Sequence, residues 1–511
     1  MEQKNINTLS ENIDKSDENS ADLDQALAVV GMGWYNIKYS LVLALFLIAS
    51  IVEPMGYSFV LPAAKCDLDM TDAQRGIISS VPYLGIVVTS FPWGYLVDTR
   101  GRKRMIIFSS LAAGLFGVVS AFMPELVSFT IFKTITALCI ACPAAVPYTF
   151  IGEMLPLRHR DITLSITNAM QIFGSTLVPV LGFGILPLNF RSNFGAYDFR
   201  PWRLLCILYS CTFFIAAFLM SFGPESPKYL LSQGKYDEAL KVLQNMYAGN
   251  KGKSPEDFPI KKLKVPPAST EEKLSFLQSL KIQSVPLLRR PYLKWMALNG
   301  FLLFGVFSIL NGLYMWVPDV LNRVLTGDSE GLTACGVIAQ GLNQTIEETK
   351  CDDSIDTMTF VINSIATVSC AFIALAVSIT VKFIGKKVLL ILVFLVIGIF
   401  CVLINHVTQD MVFAVLLSSI PLTALAIGPV NASSVGIFPT HLRGMAVSLT
   451  MMVGRCGSIV GTNVAGVMIN AACEATFYMF GGLLLVCSVA SLLVPKAKTE
   501  PPTINEKVTR L

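Results

Sequence analysis

A chain of 511 residues with 53% hydrophobic and 14% charged residues has a mean hydropathy of +0.61. A water-soluble domain carries about a quarter charged residues, so a soluble fold is excluded and a bilayer is implied as partner. The net charge of +4 is too small to mark a nucleic-acid binder.

Residues 1–37 are polar and acidic, with Glu2, Glu11, Asp14, Asp17, Glu18, Asp22 and Asp24 set against Lys4 and Lys15. No basic stretch precedes an apolar one there, which predicts a disordered cytosolic tail rather than a cleavable signal. Apolar runs follow at 38–61, 76–97, 105–123, 127–151, 162–187 and 202–222. A second set covers 293–317, 357–381, 388–405, 411–435, 445–470 and 475–494. Each is near the roughly 20 residues that cross a bilayer as a helix. The predicted fold is therefore an all-α multi-pass membrane protein, twelve transmembrane helices in two six-helix bundles, 38–222 and 293–494. A cytosolic tail, 495–511, closes the chain.

Between the bundles, 223–292 reads as a cytosolic linker. It holds an amphipathic helix at 237–247 and a Pro/Lys-rich stretch, "SPEDFPIKKLKVPPAST". "GNKGKS" (249–254) ends like a phosphate-binding loop, but Tyr247 stands where that loop needs its first glycine. Cations concentrate at Arg100–Arg104, Arg158–Arg160, 382–387 and 441–443, whereas loop 318–356 is net acidic. By the positive-inside rule the former face the cytosol with both termini.

Loop 318–356 then lies on the oxidising side. Asn343 in "NQT" is the candidate glycosylation site, and Cys335 and Cys351 flanking it form a candidate disulfide. Asn431 in "NAS" falls within a span and is discounted as a glycan acceptor. Cys139 and Cys142 form a mid-span CxxC better suited to close helix packing than to a metal.

"DTRGRKR" around Gly101 matches "KFIGKKV" around Gly385, 284 positions later. "EMLPLRHRD" matches "GIFPTHLRG", with Arg160 and Arg443 283 positions apart. Two matches at nearly one offset imply a duplicated six-helix unit, the pattern of carriers that rock about a midplane site. Lys382 replaces the acid predicted by Asp98, and Gly436 replaces Glu153, so the second copy is degraded.

Gly94, Asp98, Gly101, Arg102 and Lys103 resemble the loop 2–3 signature of the major facilitator superfamily. Glu153, Arg160 and "PESPK" (Pro224–Lys228) resemble its sugar-porter-like branch. "MWVPD" and the spacing of Glu53 to Pro62 resemble the synaptic-vesicle glycoprotein 2 family. The resemblance implies the major facilitator fold and a cytosolic gate of Gly94, Asp98, Gly101, Arg102, Lys103, Glu153, Arg160 and Arg443. In that reading Gly94 admits a close helix neighbour, Asp98 and Arg102 pair as a latch, and Glu153, Arg160 and Arg443 make contacts between the halves.

Ionisable groups inside a span are functional candidates by default. Glu53 and Arg455 sit near mid-membrane, one in each half, and pair with each other or serve separately. Arg455 would bind an anionic solute, and Glu53 would carry a proton as coupling ion. Lys133 is expected near the outer face, snorkelling to water. Asn168, Gln171, Asn311 and Asn431 are candidate cavity residues, each equally suited to a helix–helix hydrogen bond. "GRCGSIVG" around Arg455 resembles the eleventh span of organic ion transporters, which implies an anionic solute. The QQ sugar motif is missing from span seven. The expected function is a transporter of a small organic solute, in a plasma or secretory-vesicle membrane. The alternative is a non-transporting vesicle glycoprotein in trafficking or a receptor. No catalytic or cofactor-binding constellation is visible.

Overall fold

The computed structural model describes residues 20–195, 197–264, 284–327, 332–347, 354–438 and 440–495. Among them, twelve helices are long and apolar enough to cross a membrane. Six fall in each half. The first six are Trp34–Ala64, Asp72–Arg100, Arg102–Ser120, Leu126–Met154, Leu157–Ile185 and Pro201–Ser221. Spans seven to twelve are Leu293–Thr326, Thr357–Val377, Lys386–His406, Asp410–Ser434, Leu442–Ala471 and Cys473–Ser491.

The duplication is visible in the backbone. Gly101 and Gly385 both take a positive φ, +104° and +85°, at the sharp turns after spans two and eight. Only glycine adopts that conformation without strain. Each turn is followed by a lysine that caps the last helix of its own half. Lys103 Nζ donates to the carbonyls of Ser221 (2.9 Å) and Gly223 (2.7 Å), and Lys387 Nζ donates to that of Leu492 (2.6 Å). A cation at unsatisfied C-terminal carbonyls is favourable in both charge and hydrogen bonding. Arg160 and Arg443 repeat as well: each donates to the carbonyl five residues back, Leu155 at 3.5 Å and Phe438 at 2.9 Å. We call the end carrying these groups the basic face.

Span seven is irregular at mid-depth, with a π-helical turn at Ser308–Gly312 followed by a 3-10 turn at Leu313–Trp316. Span eleven crosses it there. A Cβ at Gly312 would stand 2.7 Å from the backbone of Gly461. A Cβ at Gly457 or Gly461 would run into the carbonyl oxygens of Phe304 and Ser308. The glycines of "GRCGSIVG" thus set the close crossing of spans seven and eleven. Gly461→Val is expected to cost about 1–3 kcal/mol by overpacking. Gly428→Val, whose Cβ would meet nothing within 4 Å, should leave the unfolding midpoint of the detergent-solubilised chain unchanged.

Two expectations are corrected here. The predicted disordered tail does not extend over residues 20–33. The strand Ser20–Ala21 pairs in parallel with Lys262–Leu263, and helix Leu23–Val30 begins at a capping box of Asp22 and Gln25. Its Ala26, Leu27 and Val30 join a buried cluster with Ala239, Leu243 and Met246 of helix Tyr236–Lys251, the amphipathic helix expected near 237–247. The acidic composition hid this apolar face, which is too short to register beside the spans. The second correction concerns the disulfide. Cys335 bonds to Cys473, 138 positions away, with Cα atoms 5.5 Å apart. Helix Ala334–Glu347 carries Cys335 in its first turn and lies against the start of span twelve. Proximity therefore comes from the fold, not from the loop sequence. Cys66 is also disulfide-bonded; Cys351 lies outside the described residues.

Candidate functional site

At the basic face five of the predicted gate residues, Asp98, Gly101, Arg102, Lys103 and Glu153, gather in one network. Arg102 pairs with Asp98 (2.9 Å) and Glu153 (3.2 Å), and its guanidinium lies over Tyr229 at 5.3 Å. Ser226 Oγ donates to Glu153 at 2.5 Å. The backbone N–H of Lys103 donates to Glu225 at 3.0 Å, and a Cβ at Gly101 would stand 2.6 Å from that carboxylate. Glycine is thus required at 101 twice over, by conformation and by the approach of Glu225.

Among the described residues the halves do not meet through these groups: Asp98, Arg102, Glu153, Arg160 and Arg443 keep the partners described for them within their own half. Arg160 reaches Asp24 of the N-terminal helix, at 3.7 Å. Gly94 is also corrected: a Cβ there would meet nothing within 4 Å, so no close neighbour explains it.

Inside the N-terminal half, Glu53 does not pair with Arg455. Its carboxylate accepts from Lys133 Nζ at 2.5 Å and from Ser210 Oγ at 3.3 Å. Both members of the pair are about 1% exposed. Lys133 does not snorkel. Span four begins at Leu126, which sets Lys133 seven residues, about 10 Å, inside its end. Its side chain turns into the bundle, with Nζ 5.1 Å from the ring centre of Tyr57 and 5.8 Å from that of Phe129. A buried ion pair in this setting holds two otherwise costly charges.

Arg455, on span eleven, is differently placed. Among the described residues it has no hydrogen bond or ion pair. Its guanidinium lies over Phe307 of span seven, 4.8 Å from the ring centre. The phenols it senses electrostatically, Tyr83 and Tyr148, belong to the other half. Tyr148 donates to Gln171 Oε1 at 2.7 Å and approaches Asn168 Oδ1 at 3.3 Å. Gln171 donates in turn to the carbonyl of Leu47 at 3.3 Å. Tyr148, Asn168 and Gln171 thus form one hydrogen-bonded group in the N-terminal half, and Arg455, unpaired among the described residues, lies within electrostatic reach of its Tyr148. Asn311 is used in packing: it donates to Ser458 Oγ at 3.1 Å across spans seven and eleven. Asn431 donates to the sulfur of Met451 at 3.8 Å.

At the face opposite the basic loops a ring of polar groups joins the halves. Asp72 pairs with Arg75 (3.2 Å) and Lys65 (3.3 Å), and Arg75 pairs with Asp319 across the halves at 3.5 Å. Asp319 pairs with Arg323 (2.9 Å), Arg323 donates to Asn470 Oδ1 (2.7 Å), and Asn470 donates back to Asp72. Arg75 also lies 4.5 Å over Trp316. Sequence reasoning missed this ring, because helix-end charges are ordinary in isolation. The one signal was the aspartate of "MWVPD". Asn343 lies on helix Ala334–Glu347 at this same face.

The comparisons with known proteins agree with this architecture. Synaptic vesicle glycoprotein 2C of Mus musculus is 29% identical over 241 residues, covering 46% of this chain and 33% of that protein. Synaptic vesicle glycoprotein 2A of Homo sapiens is 28% identical over 223 residues, 43% of this chain and 30% of its own length. The matched region is thus about a third of each relative. A structure of the E. coli xylose transporter XylE in a partially occluded inward open conformation superposes with TM-score 0.65 at 15% identity. It covers 91% of this chain and 100% of that one. The nucleoside transporter NupG gives 0.60 at 13% identity, covering 89% and 100%. Both show the fold. The family model of the Major Facilitator Superfamily matches residues 40–346 and 350–510, and the chain belongs to that superfamily.

Proposed function

We propose that the chain carries a small organic anion across a membrane by alternating access, with the basic face in the cytosol. The observation that carries this reading is the unpaired guanidinium of Arg455, held deep within a span over Phe307 and facing the other half. A charge in that position is costly unless something of opposite sign visits it. The basic loops and the disulfides at the opposite end support the orientation, since disulfides persist on the oxidising side. On this reading the fastened polar ring closes the far face, which leaves the basic face as the side from which a solute enters. The bundles 38–222 and 293–494 are the bodies that rock. Glu53 is the coupling acid: protonation would release it from Lys133 and loosen the N-terminal half. Plasma and secretory-vesicle membranes both suit this orientation, and Asn343 is the glycan acceptor on the far side.

Uptake of an organic-anion library into proteoliposomes, with and without an imposed proton gradient, tests the reading. Wild type should accumulate a subset of anions, and Arg455→Ala should reduce that uptake at least tenfold while remaining folded. Glu53→Gln should lose the gradient-driven part and retain exchange. If wild type matches empty liposomes for every solute, the carrier reading falls in favour of a non-transporting role in vesicle trafficking or as a receptor.

A further inference from the structure

Asn431 has one half of its amide satisfied and the other stranded. Its Nδ2 donates to the thioether of Met451 at 3.8 Å. A thioether sulfur can only accept, so this contact fixes the orientation of the amide and turns Oδ1 away from it. Asn431 Oδ1 is buried and, among the described residues, has no hydrogen-bond partner. Buried polar atoms nearly always have one, so an orphan acceptor asks for an explanation.

Its location supplies one. Met451 lies four residues before Arg455 on the same helix, hence on the same face and about one turn, roughly 5–6 Å, away. Asn431 therefore packs on span eleven one helical turn from the residue that carries the unpaired guanidinium, on the side toward the basic face. A helix–helix role does not account for it, since the packing contact of Asn431 uses only the donor. One ligand satisfies both groups: an anion for Arg455 that also carries an N–H or O–H to reach Asn431.

Resting on the carrier reading above, we propose that Asn431 is a specificity-determining residue, which selects organic anions bearing a hydrogen-bond donor about one helical turn from their charge. Anions without such a donor leave a buried acceptor empty and bind more weakly. A loss of about tenfold is the weight of one hydrogen bond to a buried group.

Matched pairs of anions test this on the full-length, detergent-solubilised chain, with binding read by calorimetry. The first pair is 4-hydroxybenzoate and benzoate. The second is indole-3-acetate and its N-methyl derivative, which removes the donor and keeps the charge and ring. The wild type should bind the donor-bearing member of a pair about tenfold more tightly. Asn431→Leu should erase that preference while still binding both members at the weaker level. Arg455→Ala should weaken both members alike. The wild-type comparison needs no variant, and Asn431→Ala replaces Asn431→Leu if leucine prevents folding. Equal binding within both pairs by wild type, or a preference that survives at residue 431, overturns the role of Asn431 and leaves the anion site standing. Failure of folded wild type to bind any of the four anions overturns both readings together.

Discussion

Lys133→Met is expected to destabilise the chain by about 3–5 kcal/mol, because it strands the Glu53 carboxylate with Ser210 alone, at 3.3 Å. The pair sits among Tyr57, Phe129 and Cys206 in a buried setting, so neither charge has water to fall back on. The prediction has a second limb that separates pairing from packing. The double variant Glu53→Gln/Lys133→Met removes both charges and should recover most of the loss, since an apolar replacement of a buried pair is often neutral. Denaturation midpoints of the two single variants and the double, in one detergent, read the coupling directly. Additive losses would show that the two side chains act independently.

Arg75→Ala should shift the conformational balance toward a state open at the face opposite the basic loops. The guanidinium pairs with Asp319 across the halves and covers Trp316, whose indole donates to Thr462 at 3.2 Å. Losing a hydrogen bond between charged groups removes about 1.5–3 kcal/mol from the fastened state, roughly 10–100-fold in population. Asn363 reports the change. It lines a small cavity with Ser58, Ser175 and Tyr314 between the halves, and is 2% exposed. A cysteine at that position, in a Cys456→Ser background, should resist a membrane-impermeant maleimide applied from the non-basic side. The same cysteine should react readily once Arg75 is alanine. Unchanged protection would mean that the ring is ornamental to the closure.

The fold was legible because its signals are long or repeated. Twelve apolar runs and two motif pairs at nearly one offset survive any uncertainty about single residues. The positive φ of both Gly101 and Gly385, and the carbonyls contacted by Arg160 and Arg443, show the repeat surviving in atomic detail. Pairings were another matter. Glu53 and Lys133 are 80 positions apart, and which faces of spans one and four meet depends on helix rotation, which apolar runs do not encode. Depth alone suggested Arg455 for Glu53, but depth is shared by many residues and azimuth is not. Cys335 failed for the same reason, its true partner lying near in space and far in sequence. Arg455 was found because a guanidinium inside an apolar run is conspicuous without knowledge of its neighbours.

Two distances measured by electron–electron double resonance test alternating access most directly. One pair of spin labels replaces Arg158 and Lys386, exposed at the basic face in opposite halves; the other replaces Ala73 and Thr326, exposed at the far face. Both are measured in proteoliposomes, in wild-type and Arg75→Ala backgrounds, with and without a bound anion. The account predicts reciprocal change: when the far-face distance lengthens, the basic-face distance shortens. Distances that stay fixed under every condition, or that lengthen together, would contradict it.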